Sequence, residues 1–509
     1  MRSSTTTTRP GTTQPAASAT TQQPHPTITP VHASITPPGP ASSPGAQPTG
    51  RGPTVRPAIM APSGPSPAMP ARPSITPPPP QTAKIQLPHP TTPAHAFNPP
   101  YDAKAVTQPG GSKMFSHADG RHWEVNRDGH LTHFSKPGTE ARFAENGRVV
   151  QAHVVRPDHS EITVKSKAYG QRYEVVRPDH TRFVGYGARR GYMERPITAR
   201  PGYVSRTYVV GKRTYARVYQ AAKYRNVVYY RYMPAYHYSP AYYQWADDPW
   251  SSPMASAWDW GQDQWSSFWN SYFSPDPSYP NASAWLTDYM LGENLRQAYD
   301  DRQAASADDQ SPAPPPAAAG TPPALTPAIK QELAGEVRQQ LAAERAAASQ
   351  PAPALPKPGS DQPPPALDPK IKTFVVSQAV EMDTGGQSCQ LTPGDVILRT
   401  SDLPVEQTKV SVMAISSKPG SCAVSTKGLL EIADLQEMYN DFREHIDDGL
   451  KLLADKQGKD GVPAGPAADP RQVPAGTAVP DLYAETELTQ QQKTAEQTIT
   501  DVELASAGT

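Results

Sequence analysis

The stretch RVVQAHVVRPDHSEITV, residues 148–164, decides the fold of the central part of this chain. Apolar or β-branched residues alternate with polar ones on both sides of the turn at Pro157-Asp158, and a period of two predicts β-strands. The hexapeptide Val154-Val-Arg-Pro-Asp-His159 recurs as Val175-Val-Arg-Pro-Asp-His180, so strand and turn repeat as one unit. We therefore predict an antiparallel meander.

Further turn signals extend this pattern over residues 115–185. They include Asp128-Gly129, Pro137-Gly138 and Asn146-Gly147. The Asp-Gly and Asn-Gly turns after aromatic strands resemble the sheet-building Tyr-Asp repeats of bacterial surface proteins, although the repeated Tyr-Asp pair itself is missing here. This resemblance implies a sheet built from short repeated units.

The composition divides the chain into several parts. Of 509 residues, 62 are Pro and 34 Gly, and 48 basic residues balance 48 acidic ones. One compact domain is therefore not expected, and net charge gives no argument for nucleic acid or an acidic membrane as partner. The sequence contains no uninterrupted stretch of about 18 apolar residues, so no membrane-spanning helix is predicted. The beginning, Met1 to Gln14, has no apolar core, so we expect no signal peptide in the sequence as given, although an upstream start is possible.

We predict a multidomain protein that is mainly β with α and has extensive disorder. Residues 1–100 contain 26 Pro and no Asp or Glu, which is typical of a disordered segment. The predicted parts are a Pro/Thr-rich disordered tail (1–110), an aromatic β-rich domain ending in a helix (111–305), a linker (306–325), an amphipathic helix (326–349), a linker (350–368), a small β barrel plus helix (369–457) and a disordered tail (458–509).

An aromatic and charged tract follows the meander. Residues 182–231 hold twelve Lys or Arg, many Tyr and the single acid Glu194, and seven of the eight Trp lie within 245–285. This tract is interpreted as an aromatic core, a glycan-binding or wall-binding surface, or a single-stranded nucleic-acid site. Because the Trp segment is acidic, we expect it to pack against the basic strands. The candidate ligand-binding residues are Tyr208, Tyr215, Trp258, Trp260 and Trp265.

The segment 369–457 alternates strand patterns and turns, then continues into an amphipathic helix that Asp434 is predicted to cap. The string Leu391-Thr-Pro-Gly-Asp-Val-Ile397, followed by strands and a closing Leu-Glu-Ile, resembles small bacterial barrels of the Src-homology class. Pro-Gly-Asp-Val-Ile is also similar to PDZ domains, but the Gly-Leu-Gly-Phe-like loop that would bind a peptide terminus is missing. The barrel is therefore preferred.

Cys389 and Cys422 are the two cysteines of the chain. Each lies beside a turn, and two strands separate them, so they are expected to meet and form a structural disulfide. In the chain-entropy model, closing such a loop contributes roughly 4 kcal/mol. Two free thiols are the alternative, whereas a redox or metal site would need a CxxC motif or further ligands.

Several histidines lie in the meander, but exposed turn positions explain them more simply than a metal site does. No nucleophile elbow, paired carboxylates or phosphate-binding glycine loop is recognisable, so no catalytic residue, metal or cofactor is expected.

The whole chain resembles exported proteins of soil bacteria that have a Tyr/Trp-rich tract, a resemblance that implies no activity. We expect a non-enzymatic adhesion or scaffold protein, exported or in the cell envelope, with cell-wall glycan or another envelope protein as partner. The alternatives are a wall-polymer hydrolase with the C-terminal module as its targeting domain, and a single-stranded nucleic-acid binder that uses the Tyr/Arg tract.

Overall fold

The structure, a computed structural model, describes residues 97–167, 170–186, 190–255, 262–308, 325–349, 361–385, 388–406 and 408–507. Thirteen strands form one antiparallel sheet in which each strand pairs with the next along the chain, which confirms the predicted meander. These strands are β1 (Lys104–Thr107), β2 (Lys113–Ser116), β3 (His122–Val125), β4 (Leu131–Lys136), β5 (Thr139–Phe143), β6 (Val149–Val155), β7 (Glu161–Lys167), β8 (Gly170–Val176), β9 (Arg182–Tyr186), β10 (Arg190–Pro196), β11 (Tyr203–Val210), β12 (Arg213–Tyr224) and β13 (Val227–Met233).

Helices and shorter strands make up the rest of the described chain. The helices are α1 (Pro240–Asp247), α2 (Gln264–Trp269), α3 (Ala282–Asp308), α4 (Pro327–Ala348), α5 (Ile432–Lys456) and α6 (Ala484–Ser506). The strands are β14 (Tyr236–His237), β15 (Met254–Ala255), β16 (Ser278–Tyr279), β17 (Thr373–Val375), β18 (Val380–Asp383), β19 (Ser388–Leu391), β20 (Val396–Arg399), β21 (Lys409–Ser416), β22 (Lys427–Glu431) and β23 (Arg471–Gln472). Short 3-10 turns occupy Pro365–Leu367 and Pro474–Gly476.

The repeated Pro-Asp-His sequence forms the same turn twice. His159 and His180 both have φ of 62°, in the left-handed region that few non-glycine residues adopt. In each turn the aspartate accepts a hydrogen bond from the amide two residues on, at 3.0 Å for Asp158 and 2.9 Å for Asp179. Local aspartate bonding therefore sets both hairpin turns.

The predicted barrel at 369–457 is not confirmed. The six strands of this segment form an antiparallel sheet in the order β17-β20-β21-β22-β18-β19. Among the described residues, the edge strands β17 and β19 do not pair with each other. Helix α5 follows the sheet directly and begins at Ile432 with Glu431 as its N-cap residue, so Asp434 lies within the first turn rather than at the predicted cap.

The predicted separation into independent domains is also not confirmed. The described residues all belong to one compact unit. A single apolar cluster joins α1, α2, α3, α4 and α5 to the six-stranded sheet, for example through Tyr242, Leu291, Val337, Ile397 and Leu450. The predicted tail 1–110 is wrong at its end, because β1 already belongs to the meander. The tail predicted for residues 1–96, and most of both predicted linkers, lie outside the described residues.

Helix α6 covers the apolar face of the meander, which corrects the disordered tail predicted for 458–509. Leu488 packs with Phe183 and other residues of β7–β11, whereas Val502 packs in the cluster around Trp123. The indole nitrogen of Trp123 donates to the Ser506 carbonyl at 3.1 Å. The meander is a single layer, so one of its faces needs this cover to exclude water from its apolar residues.

Candidate ligand-binding cleft

Four tyrosines on consecutive strands form a row across the other face of the meander. Tyr186 lies on β9, Tyr192 on β10, Tyr208 on β11 and Tyr215 on β12. Successive ring centroids are 6.3, 5.3 and 5.2 Å apart. Tyr192 faces Tyr208 and Tyr208 faces Tyr215 in the strand register, which is why their rings meet. We call these four residues the tyrosine ladder.

A row of charged side chains runs beside the tyrosine ladder. Arg206 is fully buried, and its Nε donates to the Glu194 carboxylate at 2.7 Å. Its guanidinium also lies 4.0 Å from the ring centroid of Tyr219, a cation–π arrangement. Glu437 on α5 accepts two further hydrogen bonds from it. Burial is the largest single influence and raises the pKa of Glu437, but the charge and hydrogen bonds of Arg206, together with the charges of Arg182 and Arg172, lower that pKa overall.

Helix α5 faces this row with a stripe of carboxylates. Glu437, Asp441, Glu444 and Asp448 are three or four residues apart and therefore share one face of the helix. Arg217 of β12 donates to both oxygens of Asp448, at 2.6 and 2.7 Å. Arg206 and Arg217 of the basic strands are thus paired with α5, whereas the sequence predicted that the acidic Trp segment would pack against these strands.

Two cavities lie between the meander and the helices, and together we call them the cleft. The first has a volume of about 140 Å³ and is bounded by the tyrosine ladder, the α5 carboxylates and α3. The second has a volume of about 560 Å³ and lies at the start of α5, above β7–β10. A volume of this size is in the range of roughly 300–1,000 Å³ that small-ligand sites occupy. Tyr192, Gln378 and Glu437 line both cavities.

A hydrogen-bonded chain joins Tyr208 and Glu444, which line the first cavity, through Tyr219, which is fully buried and does not line it. The hydroxyls of Tyr208 and Tyr219 are 2.7 Å apart, and Tyr219 donates to Glu444. Burial raises the pKa of Glu444 to about 7, although the charge of Arg217 opposes the shift. Burial also raises the pKa of both tyrosines well above the usual value. Near neutral pH this wall of the cleft therefore presents the neutral hydroxyl of Tyr208 and, in Glu444, a carboxyl that gains or loses a proton.

The structure brings together part of the predicted site. Tyr208 and Tyr215 line the first cavity. Trp265, on α2, lies behind it: the guanidinium of Arg296, which lines the cavity, is 4.9 Å from the Trp265 ring centroid. Trp258 and Trp260 lie outside the described residues.

The sequence did not predict the wall of the cleft that Gln378 and the carboxylates of α5 form. Gln378 has no motif around it that would single it out. The acidic stripe of α5, by contrast, is visible in the sequence as carboxylates repeating every three or four residues, opposite in charge to the basic strands.

The predicted disulfide is confirmed. Cys389 and Cys422 are bonded, with their Cα atoms 5.2 Å apart. Beside the bond, the Cys422 amide donates to the Gln390 carbonyl at 2.8 Å. The bridge therefore ties the edge strand β19 to the connection between β21 and β22.

No family model matches this chain, and neither curated proteins nor solved structures show significant similarity to it. Within the described ranges, no helix has both the length and the apolar character needed to cross a bilayer. In the same ranges, no group of three or more His, Cys, Asp or Glu side chains has the arrangement of a metal site.

Proposed function

We propose that this chain is a non-enzymatic adhesion or scaffold protein, exported or in the cell envelope, that binds a wall saccharide in the cleft. The tyrosine ladder is the observation that carries the proposal. Aromatic rings offer apolar contact for the C–H groups of a sugar, and the hydroxyls and carboxylates around them offer hydrogen-bond partners for its hydroxyls.

The geometry of the meander supports an extended ligand. Neighbouring strands lie about 4.8 Å apart, so ladder residues recur at short, even intervals across the sheet. The larger second cavity continues from the first at Tyr192. A chain of sugar rings could therefore occupy both cavities.

The disulfide supports export. Disulfides form and persist mainly in oxidising compartments, which include the periplasm and the exterior of the cell. A wall polymer would then be within reach of the protein.

Cosedimentation of the purified full chain with insoluble wall polysaccharide tests the proposal. Tyr186→Ala and Tyr215→Ala should each weaken binding at least about fivefold, since an interface residue that matters contributes more than about 1 kcal/mol. Tyr203→Ala is the matched control, because Tyr203 is half-buried on β11 but points to the opposite face. Equal binding by all three variants, or no retention on any glycan, would remove the proposal.

A wall-polymer hydrolase is the second candidate, and Glu444 is the observation that favours it. A carboxyl that is only 12% exposed and has a pKa of about 7 suits a general acid at neutral pH, and Asp441 lies one turn away on α5. Release of soluble fragments from wall polymer, abolished by Glu444→Gln, would favour this candidate over binding alone.

A further inference from the structure

Gln378 occupies the junction of the two cavities. Its side chain is 5% exposed, and it lines both the first and the second cavity. Across the described part of the chain, no group donates a hydrogen bond to its Oε1 atom. A buried acceptor without a donor destabilises the folded protein by about 1–3 kcal/mol. A ligand that donates a hydrogen bond to this atom would remove that penalty.

The backbone around Gln378 is held in place. The Val376 amide donates to the Asp395 carbonyl at 2.8 Å, and the Val376 carbonyl accepts from the Gly394 amide at 2.7 Å. Gln297 of α3 donates to the Ser377 carbonyl. The backbone that leads into Gln378 is therefore fixed by hydrogen bonds and is not a free loop.

The charges of the first cavity disfavour an anion. Six carboxylates line it, and three of its four cations are already paired, each with a carboxylate of the protein. These pairs are Arg190 with Asp301 at 2.6 Å, Arg296 with Glu293 at 3.5 Å and His445 with Asp441 at 3.1 Å. The fourth cation, Arg213, is exposed at the turn between β11 and β12. The α5 carboxylates are paired as well, Glu437 with Arg206 and Asp448 with Arg217. Among the described residues, Arg213 is therefore the one lining cation without a carboxylate partner, and an acidic sugar would find no buried cation to pair with.

From these observations we infer that the cleft selects an uncharged saccharide chain, of neutral or N-acetylated sugars, which donates an O–H or N–H hydrogen bond to Gln378 Oε1. This inference rests on the proposed function and adds the ligand class and a specificity-determining residue. Sugar hydroxyls and acetamido groups supply the donor that Oε1 needs, and their apolar faces suit the tyrosine ladder.

Isothermal titration calorimetry on the full, disulfide-bonded chain tests this inference. The uncharged probes are oligomers of N-acetylglucosamine and of glucose. The acidic probe is an oligouronate of the same length. At least one uncharged oligomer should bind, and the oligouronate should bind at least tenfold more weakly.

Gln378→Met removes the Oε1 acceptor while nearly keeping the length of the side chain. It should weaken binding of the uncharged oligomer by about 3- to 10-fold, because that is the loss of affinity expected for one hydrogen bond. Gln390→Met is the control: Gln390 is half-buried and its Nε2 also has no partner within the described residues, but it lines neither cavity. Thermal melts of both variants show whether they remain folded.

The outcomes separate the two proposals. If an uncharged oligomer binds but Gln378→Met binds it equally well, or if the oligouronate binds as tightly, saccharide binding stands and the inference about Gln378 and charge is overturned. If no saccharide binds the unaltered chain, the proposed function fails, and the inference fails with it.

Discussion

Arg206 of β11 and Glu437 of α5 are 231 residues apart in sequence, yet two hydrogen bonds of 2.7 and 2.9 Å join their side chains. Arg206 has no solvent exposure, so its charge depends on Glu437 and Glu194 for compensation. This contact holds α5 against the face of the meander that carries the tyrosine ladder. Helix α5 thereby forms one wall of the cleft. The Glu437 side chain is 27% exposed, but removal of its charge would leave the fully buried guanidinium of Arg206 less compensated, which is costly.

Glu437→Gln should therefore lower the free energy of unfolding by about 3 kcal/mol at pH 7, because it leaves the buried guanidinium short of one negative charge. Urea denaturation measures the change. Lys451→Ala is the control: Lys451 pairs with Asp455 on the same helix, but both side chains are more than 60% exposed, so its loss should cost less than about 1 kcal/mol. Equal effects of the two substitutions would contradict the role given to Arg206.

Glu444 should make stability depend on pH in the direction opposite to that of most carboxylates. Its pKa rises from 4.5 in the unfolded chain to about 7 in the folded protein, so the folded state holds more protons between these values. Its contribution is present below pH 4.5 and is lost as pH rises through 7.

Glu444→Gln should flatten the fall in unfolding free energy between pH 4.5 and pH 8 by up to about 3 kcal/mol. Some dependence should remain in the variant, since burial and the charge of Glu344 raise the pKa of Asp447 to about 7 as well. Urea titrations at several pH values measure both proteins, and identical curves would rule out the shift at Glu444.

Reduction of the Cys389–Cys422 bond should lower the melting temperature. The loop that it closes spans 33 positions, for which the chain-entropy model gives roughly 4 kcal/mol. The double variant Cys389→Ser plus Cys422→Ser should melt at the lower temperature with or without reductant. A melt of the unaltered chain that does not respond to reductant would mean that the bond contributes nothing to stability.

Helix α6 should be part of the cooperative fold. Leu488→Ala should destabilise the protein by about 2–5 kcal/mol, because Leu488 is buried against the meander. Leu504→Ala on the same helix provides the comparison, since Leu504 is 71% exposed and its loss should change stability by less than about 0.5 kcal/mol. Denaturant unfolding measures both, and a neutral Leu488→Ala would show that α6 does not cover the sheet.

The predicted ligand residues Trp258 and Trp260 can be tested without a structural account of their surroundings. If they contact the saccharide, Trp258→Ala plus Trp260→Ala should weaken retention on wall polysaccharide at least about fivefold. Trp265→Ala serves as the comparison, because Trp265 lies behind Arg296 and should have a smaller effect. Full retention by the double variant would remove both tryptophans from the binding site.

Local sequence patterns predicted those structural features that are set by residues close together in the chain. The period-two alternation and the Asp-Gly and Asn-Gly turns predict the meander, because strand pairing between consecutive segments needs only a turn and one apolar face. The same reasoning placed Cys389 near Cys422, because both lie in one short segment of alternating strands and turns. The sequence also contains the apolar spacing of α6, since Leu488, Ala495 and Val502 recur every seven residues. The Pro, Ala and Gln composition of the tail nevertheless favoured the prediction of disorder.

Only the tertiary structure decided which faces meet. The pairing of Arg206 with Glu437, the burial of Gln378 at the junction of two cavities and the docking of α6 all join residues far apart in sequence. Charge and apolar spacing show that a face needs a partner, but many faces of the same chain could satisfy that need. The choice among them depends on the packing of the whole compact unit, which no local window of sequence contains.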